Sequence, residues 1–216
     1  MAAEKGRCRL CLISPADENV DACVRLVSAA LSGGDVAALI VTADPSRPEL
    51  LQSLAEALMP IADARGVATL VHNDTRVAGR VRADGVHVDT GIDDLAAAVA
   101  AAKGKRMVGA GGVTSRHDAM VLSEAEPDYL FFGRLDGDRA PEIFDKAFEL
   151  AAWWSEVAII PAVVMGGSMI ACVDQAVDAG IDFVALRRAV WDDPRGPAAA
   201  VGEANARLAR TTEPVA

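Results

Sequence analysis

A closed (β/α)8 barrel of the TIM type, one domain spanning residues 1–216, is the fold that this sequence predicts. Three observations predict it. Short apolar runs of strand length alternate with stretches whose apolar residues recur at helical spacing. The alternation repeats eight times at about 25 residues per unit, the rhythm of a ring of strands that closes without exposed sheet edges. The glycine turn suited to an anion comes late, at Gly166-Gly167. A doubly wound open sheet, the alternative, would carry it after the first strand, where this chain reads Ser14-Pro15-Ala16-Asp17.

Cys8 to Ser14 is the first strand, and Val20, Cys23, Val24, Val27 and Leu31 form the apolar stripe of a helix stopped by Gly33-Gly34. Val36 to Thr42 is a nearly continuous apolar run, as expected of a parallel strand covered on both faces. Asp44-Pro45 breaks it, and Glu49 to Ala64 is helical with Leu50, Leu51, Leu54, Leu58 and Ile61 inward. Ala68 to His72 is the third strand. Val77, Ala78, Val81 and Ala83 belong to a short helix that returns the chain to a fourth strand, Gly85 to Val88. Ile92 to Ala102 is an alanine-rich helix whose start Asp93 or Asp94 would cap.

Met107 to Ala110 is a short fifth strand running into Gly111-Gly112, followed by a helix over Ser115 to Leu122. Asp128 to Gly133 is the sixth strand, Arg134 to Pro141 a loop of mixed charge, and Ile143 to Ser155 a helix. Its Trp153-Trp154 pair reads as a buried ring beside an exposed or interfacial one. Ala158 to Val164 is the seventh strand, Ile170 to Ala179 a helix stopped by Gly180, Phe183 to Leu186 the eighth strand, and Pro197 to Leu208 the closing helix.

A hydrophobic content of 52% is ample for a core, and a net charge of -10 argues against general affinity for nucleic acid or an anionic membrane. A phosphate site would therefore be local. No stretch has the uninterrupted apolar length of a membrane span, and Met1 to Ser14 lacks a long apolar leader, so a cytoplasmic protein is expected. Cys8 and Cys11 have CxxC spacing, but no second ligand pair follows and the segment reads as a strand; ordinary reduced thiols are expected. The tryptophan pair and an apolar barrel exterior are compatible with a homodimer.

Ligands of parallel α/β folds collect at the carboxyl ends of the strands, which directs attention to Asn73, Asp74 and the Asp89 to Asp94 loop. Gly166-Gly167 would let backbone N–H groups approach an anion, and the Leu186-Arg187-Arg188 turn could add N–H groups and a cation. Asp74 has a second reading as the cap of the helix beginning near Thr75. His87 reads either as an acid or base, or as a strand residue satisfied by hydrogen bonds.

The succession HNDTRVAGRVRADGVHVDTGIDDL, MVGAGGVTS, DYLFFG, IPAVVMGGS and DAGIDFVALRRAVWDDP resembles the thiamine phosphate synthase family and its TenI relatives, which are (β/α)8 barrels. The most specific piece is Asn73 to His87. The resemblance implies coupling of a pyrimidine diphosphate to a thiazole phosphate in thiamine biosynthesis, with Mg²⁺. It implies Asn73 and Asp74 at the reacting site, with His87 the candidate acid or base beside them on its own residue type, and Asp74 with a second acid as metal ligands, Asp93 first and Asp89 or Asp94 as alternatives. Gly166, Gly167, Leu186 and Arg187 are implied as the holders of a substrate phosphate.

The chain departs from the family in three places, one being the displaced serine after the fifth strand, where Gly111-Gly112 and then Thr114 or Ser115 stand. The family's second strand carries Gln, Arg and Lys toward the diphosphate, where this chain has Leu39, Val41 and Ala43. The family's threonine-rich loop ending in lysine after the sixth strand is Gly133 to Ala140 here, with Arg134 and Arg139 as the available cations. Two alternatives to synthase activity follow: a TenI-like thiazole tautomerase, which needs a base but no diphosphate clamp, and a barrel that binds a phosphorylated ligand without turnover.

Overall fold

Eight parallel strands close in chain order: β1 (Arg9–Ile13), β2 (Ala38–Val41), β3 (Ala68–His72), β4 (Gly85–Val88), β5 (Met107–Val113), β6 (Tyr129–Phe132), β7 (Ala162–Met165) and β8 (Phe183–Leu186), with β8 pairing β1. The computed structural model describes residues 7–16 and 19–210. Residues 1–6, on which the leader reading partly rests, and Asp17 of the first turn lie outside the described residues. The surrounding helices are α1 (Val20–Ala30), α2 (Pro48–Asp63), α3 (Thr75–Val81), α4 (Ile92–Ala102), α5 (Arg116–Ser123), α6 (Asp145–Val157), α7 (Val173–Asp178), the four-residue α8 (Arg188–Trp191) and α9 (Pro197–Leu208). Among the described residues, no helix is long and apolar enough to cross a membrane.

The period-two alternation of each strand divides the core. Leu10, Leu12, Leu39, Val41 and Val71 face the helices in one large cluster, whereas Cys11, Ile13, Ile40, Leu70, Phe131, Val163 and Ala185 fill the ring. The same alternation accounts for the CxxC spacing: three residues apart on an extended chain, Cys8 joins the outer cluster and Cys11 the inner one. They cannot share a ligand. Both are free, and burial pushes both thiols up to about 12.

At the amino-terminal rim a recurrent device joins the strands in pairs. Asp84, Asp128 and Asp182 each precede an even-numbered strand. Their carboxylates accept the N–H of Thr69 (2.7 Å), Val108 (2.7 Å) and Ala162 (2.9 Å) at the starts of β3, β5 and β7. Asp35, before β2, instead accepts Arg9 Nε at 3.1 Å and Nη2 at 2.9 Å from β1. These are charge-assisted bonds, stronger than neutral ones, and each backbone donor among them lies within the first two residues of its strand.

Several boundaries differ from expectation for local reasons. β5 runs past Ala110 to Val113 because Gly111-Gly112 forms a register irregularity rather than ending the strand, with Gly112 at φ +76°. β7 starts at Ala162 and not Ala158: α6 continues to Val157, Ala158 N–H donates to the Trp154 carbonyl, and Ile159 is exposed. Asp93 and Asp94 lie within the first turn of α4, favourable for its dipole, but the cap position is Gly91 and no side chain caps the helix. Trp154 is buried and donates Nε1–H to the Ile160 carbonyl at 2.8 Å, while the half-buried Trp153 ring lies beneath the Arg116 guanidinium.

Candidate active site

A cavity of about 710 Å³ opens at the carboxyl ends of the strands, and Thr42, His72, Asp89, Thr114, Arg134 and Arg187 contribute to its lining. Strand parity explains the set. Thr42 follows Ile40, His72 follows Leu70, Asp89 follows His87 and Arg187 follows Ala185 by two residues; His72 is the last ladder position of β3, and the other three continue the inward face just past the ends of their strands. The same parity corrects one expectation. Leu39 and Val41 face the helices, and the inward series of β2 is Ala38, Ile40 and Thr42, which also carries no charge.

The ends of β3 and β4 are cross-linked. Asn73 sits at φ 55°, a left-handed conformation that asparagine tolerates better than most residues. From there its Nδ2 donates to Asp89 Oδ1 at 2.6 Å, and its Oδ1 accepts the Asp89 N–H at 2.9 Å. His72 Nε2 lies 3.1 Å from Asp89 Oδ2, and His72 Nδ1 lies 3.2 Å from Thr42 Oγ1. Hydrogen bonds from His72, and then from Asn73, hold the Asp89 carboxyl well below the usual carboxylate range against the opposing effect of burial. The cavity wall therefore presents a fixed, ionised carboxylate.

His87 is buried inside the ring and does not line this cavity. Its Nδ1 lies 3.0 Å from the Tyr129 hydroxyl, and the Phe131 ring meets it edge-on. Burial first, and the nearby His72 second, push its pKa down to about 3. It is thus a neutral imidazole at physiological pH. Gly111 accommodates it: a Cβ there would stand 2.8 Å from both His87 Nε2 and Asp89 Cβ.

Asp74 caps α3. Its Oδ1 accepts the N–H groups of Arg76 at 2.9 Å and Val77 at 2.8 Å. Asp74→Ala should cost about 1 kcal/mol of unfolding free energy and Asp74→Ser only a few tenths, measured by urea denaturation. An equal loss for both would count against the capping role. Asp93 is exposed on α4 and does not line the cavity.

The two carboxylates expected to hold Mg²⁺ stand at the starts of α3 and α4. One Asp74 oxygen already serves two N–H groups, Asp93 projects from a helix, and both Asp89 oxygens are engaged by Asn73 and His72. Among the described residues no group of three His, Cys, Asp or Glu side chains is gathered for a metal. Mg²⁺ is ordinarily held by one or two carboxylates together with waters and substrate phosphates, so Asp74 and one acid of the Asp89 to Asp94 loop would be the residues to hold it here.

The glycine turn is also differently engaged. Gly166 N–H donates to the Ala185 carbonyl at 2.8 Å, Gly167 N–H to Cys172 Sγ at 3.2 Å, Ser168 N–H to the Ala140 carbonyl at 2.7 Å and Met169 N–H to the Pro141 carbonyl at 3.2 Å. Leu186 is buried at the end of β8, and Arg187 reaches the Leu135 carbonyl through Nη1 at 3.4 Å. Arg188, at the start of α8, gives its backbone N–H to Asp138 Oδ2 at 2.7 Å. Neither α8 nor the roles of His72 and Asp138 had been expected. Inward parity could have flagged His72, whereas nothing local marks Asp138, because its partner is 50 residues away.

The family profile described as "Thiamine monophosphate synthase" matches residues 10–190. A thiamine-phosphate synthase of Rhodospirillum centenum is 37% identical over 206 residues, covering 92% of this chain and 96% of that protein. Another, of Hyphomonas neptunium, is 32% identical over 213 residues, covering 95% and 96%. Among solved structures, a thiamine phosphate pyrophosphorylase from Pyrococcus furiosus superposes with a TM-score of 0.76 at 23% identity, covering 93% of this chain and 95% of that one. An orotidine 5'-phosphate decarboxylase from Pyrococcus horikoshii reaches 0.66 at 17% identity, covering 92% and 98%; at such identities the likeness is one of fold.

Proposed function

Because this chain belongs to the thiamine monophosphate synthase family, we propose that it is a synthase-type transferase of thiamine biosynthesis, joining a pyrimidine diphosphate to a thiazole phosphate with release of pyrophosphate. The observation that carries this function is similarity over nearly the whole length of the Rhodospirillum centenum synthase. The mouth cavity supports it. Its volume suits a substrate of this size, and the Asp89 carboxylate offers a fixed negative charge toward carbon that turns cationic as the diphosphate leaves. Arg134 and Arg187 are the cations available on its wall for phosphate oxygens. Mg²⁺ enters only through the family, and no step is assigned to it.

Incubated with Mg²⁺ and both phosphorylated precursors, the purified protein should release pyrophosphate. The rate should be on the order of a hundredfold or more below that of a family member carrying the second-strand Gln, Arg and Lys, assayed alongside, because each missing preorganised contact costs about 3 kcal/mol. Pyrophosphate no higher than in an enzyme-free blank would sink the synthase assignment.

Two observations favour a second function, a barrel that binds a phosphorylated ligand without turnover. The β2 wall is uncharged, and a loop rather than open space faces the glycine turn. Thiamine phosphate would then raise the melting temperature while no pyrophosphate appears.

A further inference from the structure

We infer that Asp138 is a resident substitute for a phosphate group, and that the segment from Gly133 to Pro141 is a strap which a phosphorylated ligand must displace. The inference rests on the proposed function only in taking the turns after β7 and β8 as a phosphate cradle. In barrels of this kind that cradle is built from those two turns and the start of a short extra helix, and α8 is such a helix.

Here the strap fills it. Asp138 Oδ2 accepts the Arg188 N–H at 2.7 Å, and the carbonyls of Ala140 and Pro141 accept those of Ser168 and Met169. The fit is close on the other side too: a Cβ on Gly167 would collide with the carbonyls of Pro141 and Glu142. Leu135, in the same strap, joins the inner cluster of the ring, and its carbonyl accepts from Arg187.

The carboxylate is an anomaly unless it stands in for something. Asp138 is only 1% exposed, yet its Oδ1 has no hydrogen-bond partner among the described residues. A buried carboxylate oxygen left without a donor is costly, so a tight turn alone gives no reason to bury an acid there. A tetrahedral anion has more acceptor oxygens, and with the strap lifted it could engage the N–H groups of Ser168, Met169 and Arg188 together. The strap is tethered at both ends, by β6 and by α6, so its carboxylate competes at a high effective concentration. The apparent phosphate affinity is lowered by the fraction of molecules in which the strap is closed.

The test uses the full chain and inorganic phosphate, titrated calorimetrically at constant ionic strength into wild type, Asp138→Asn and Asp138→Ala. The alanine variant should bind phosphate at least about tenfold more tightly than wild type, with the asparagine variant between them, since it keeps an acceptor but loses the charge. If Asp138→Ala does not fold, Asp138→Asn alone decides. Folded variants that bind phosphate no better than wild type would overturn the inference. The two ideas fail separately: tighter phosphate binding without pyrophosphate release leaves the strap standing and removes the synthase.

Discussion

Gly109→Ala is expected to destabilise the barrel by about 3 kcal/mol or more, enough to lower the melting temperature by roughly 6 to 12 °C in a chain of this size. Gly109 lies on β5, and a Cβ there would overlap the Tyr129 ring carbons and hydroxyl on β6. Retreat of the ring into the space beside it would pull its hydroxyl away from His87 Nδ1. Moving it would strip a buried imidazole of its partner, adding the cost of an unpaired polar group to that of overpacking. Urea and thermal unfolding of the variant check this. A melting temperature within about 2 °C of wild type would mean that the ring interior is looser than its geometry implies.

Acidification from pH 7 to 4.5 is expected to remove about 2 to 3 kcal/mol of stability through His87 alone. The folded-state value of about 3 lies below the ordinary histidine value of 6.5. Between these values the unfolded chain binds a proton that the folded chain refuses. Stability therefore rises with pH across that window and is fully present only above it. His87→Gln should flatten the dependence between pH 7 and 4.5, as read from urea unfolding at several pH values. Asp89 acts in a different window: its carboxyl is depressed, so its contribution is complete above the ordinary carboxylate range and is lost only in stronger acid. A His87→Gln protein that still lost 2 to 3 kcal/mol by pH 4.5 would exclude the buried imidazole as the cause.

The order of elements was legible because the strands are short, mostly apolar runs and each longer helix carries a stripe, as in α1 with Cys23, Val27 and Ala30 buried. Periodicity reports burial, so it recovered what burial determines. It misjudged the start of β7, where Ala158, Ile159 and Ile160 are apolar but follow the helix instead of joining the ladder. Asn73 and Asp74 were legible as a polar strand end, and the capping alternative for Asp74 was visible in its position before Thr75.

The relation between residues at the mouth was not legible. The Thr42, His72 and Asp89 contacts join three strands, and the Asp138 contact to Arg188 joins a loop to a helix start. Such pairings depend on how strand tilt and loop course bring distant segments together, and spacing along one chain does not encode that. The Gly166-Gly167 turn illustrates the difficulty. Gly167 is required for close backbone approach, but the approaching group is the chain's own Pro141–Glu142 segment, and Gly166 makes room for Leu186.

The four aspartate fastenings lie at the rim remote from the cavity, and each of them ties an odd-numbered strand to the even-numbered one that follows. Cohesion of the scaffold and recognition of a substrate are therefore assigned to opposite poles. A lineage can exchange or discard charged groups at one pole without loosening the other, which is how a chain with an uncharged second strand keeps an intact ring. The architecture separates the freedom to change chemistry from the obligation to remain folded.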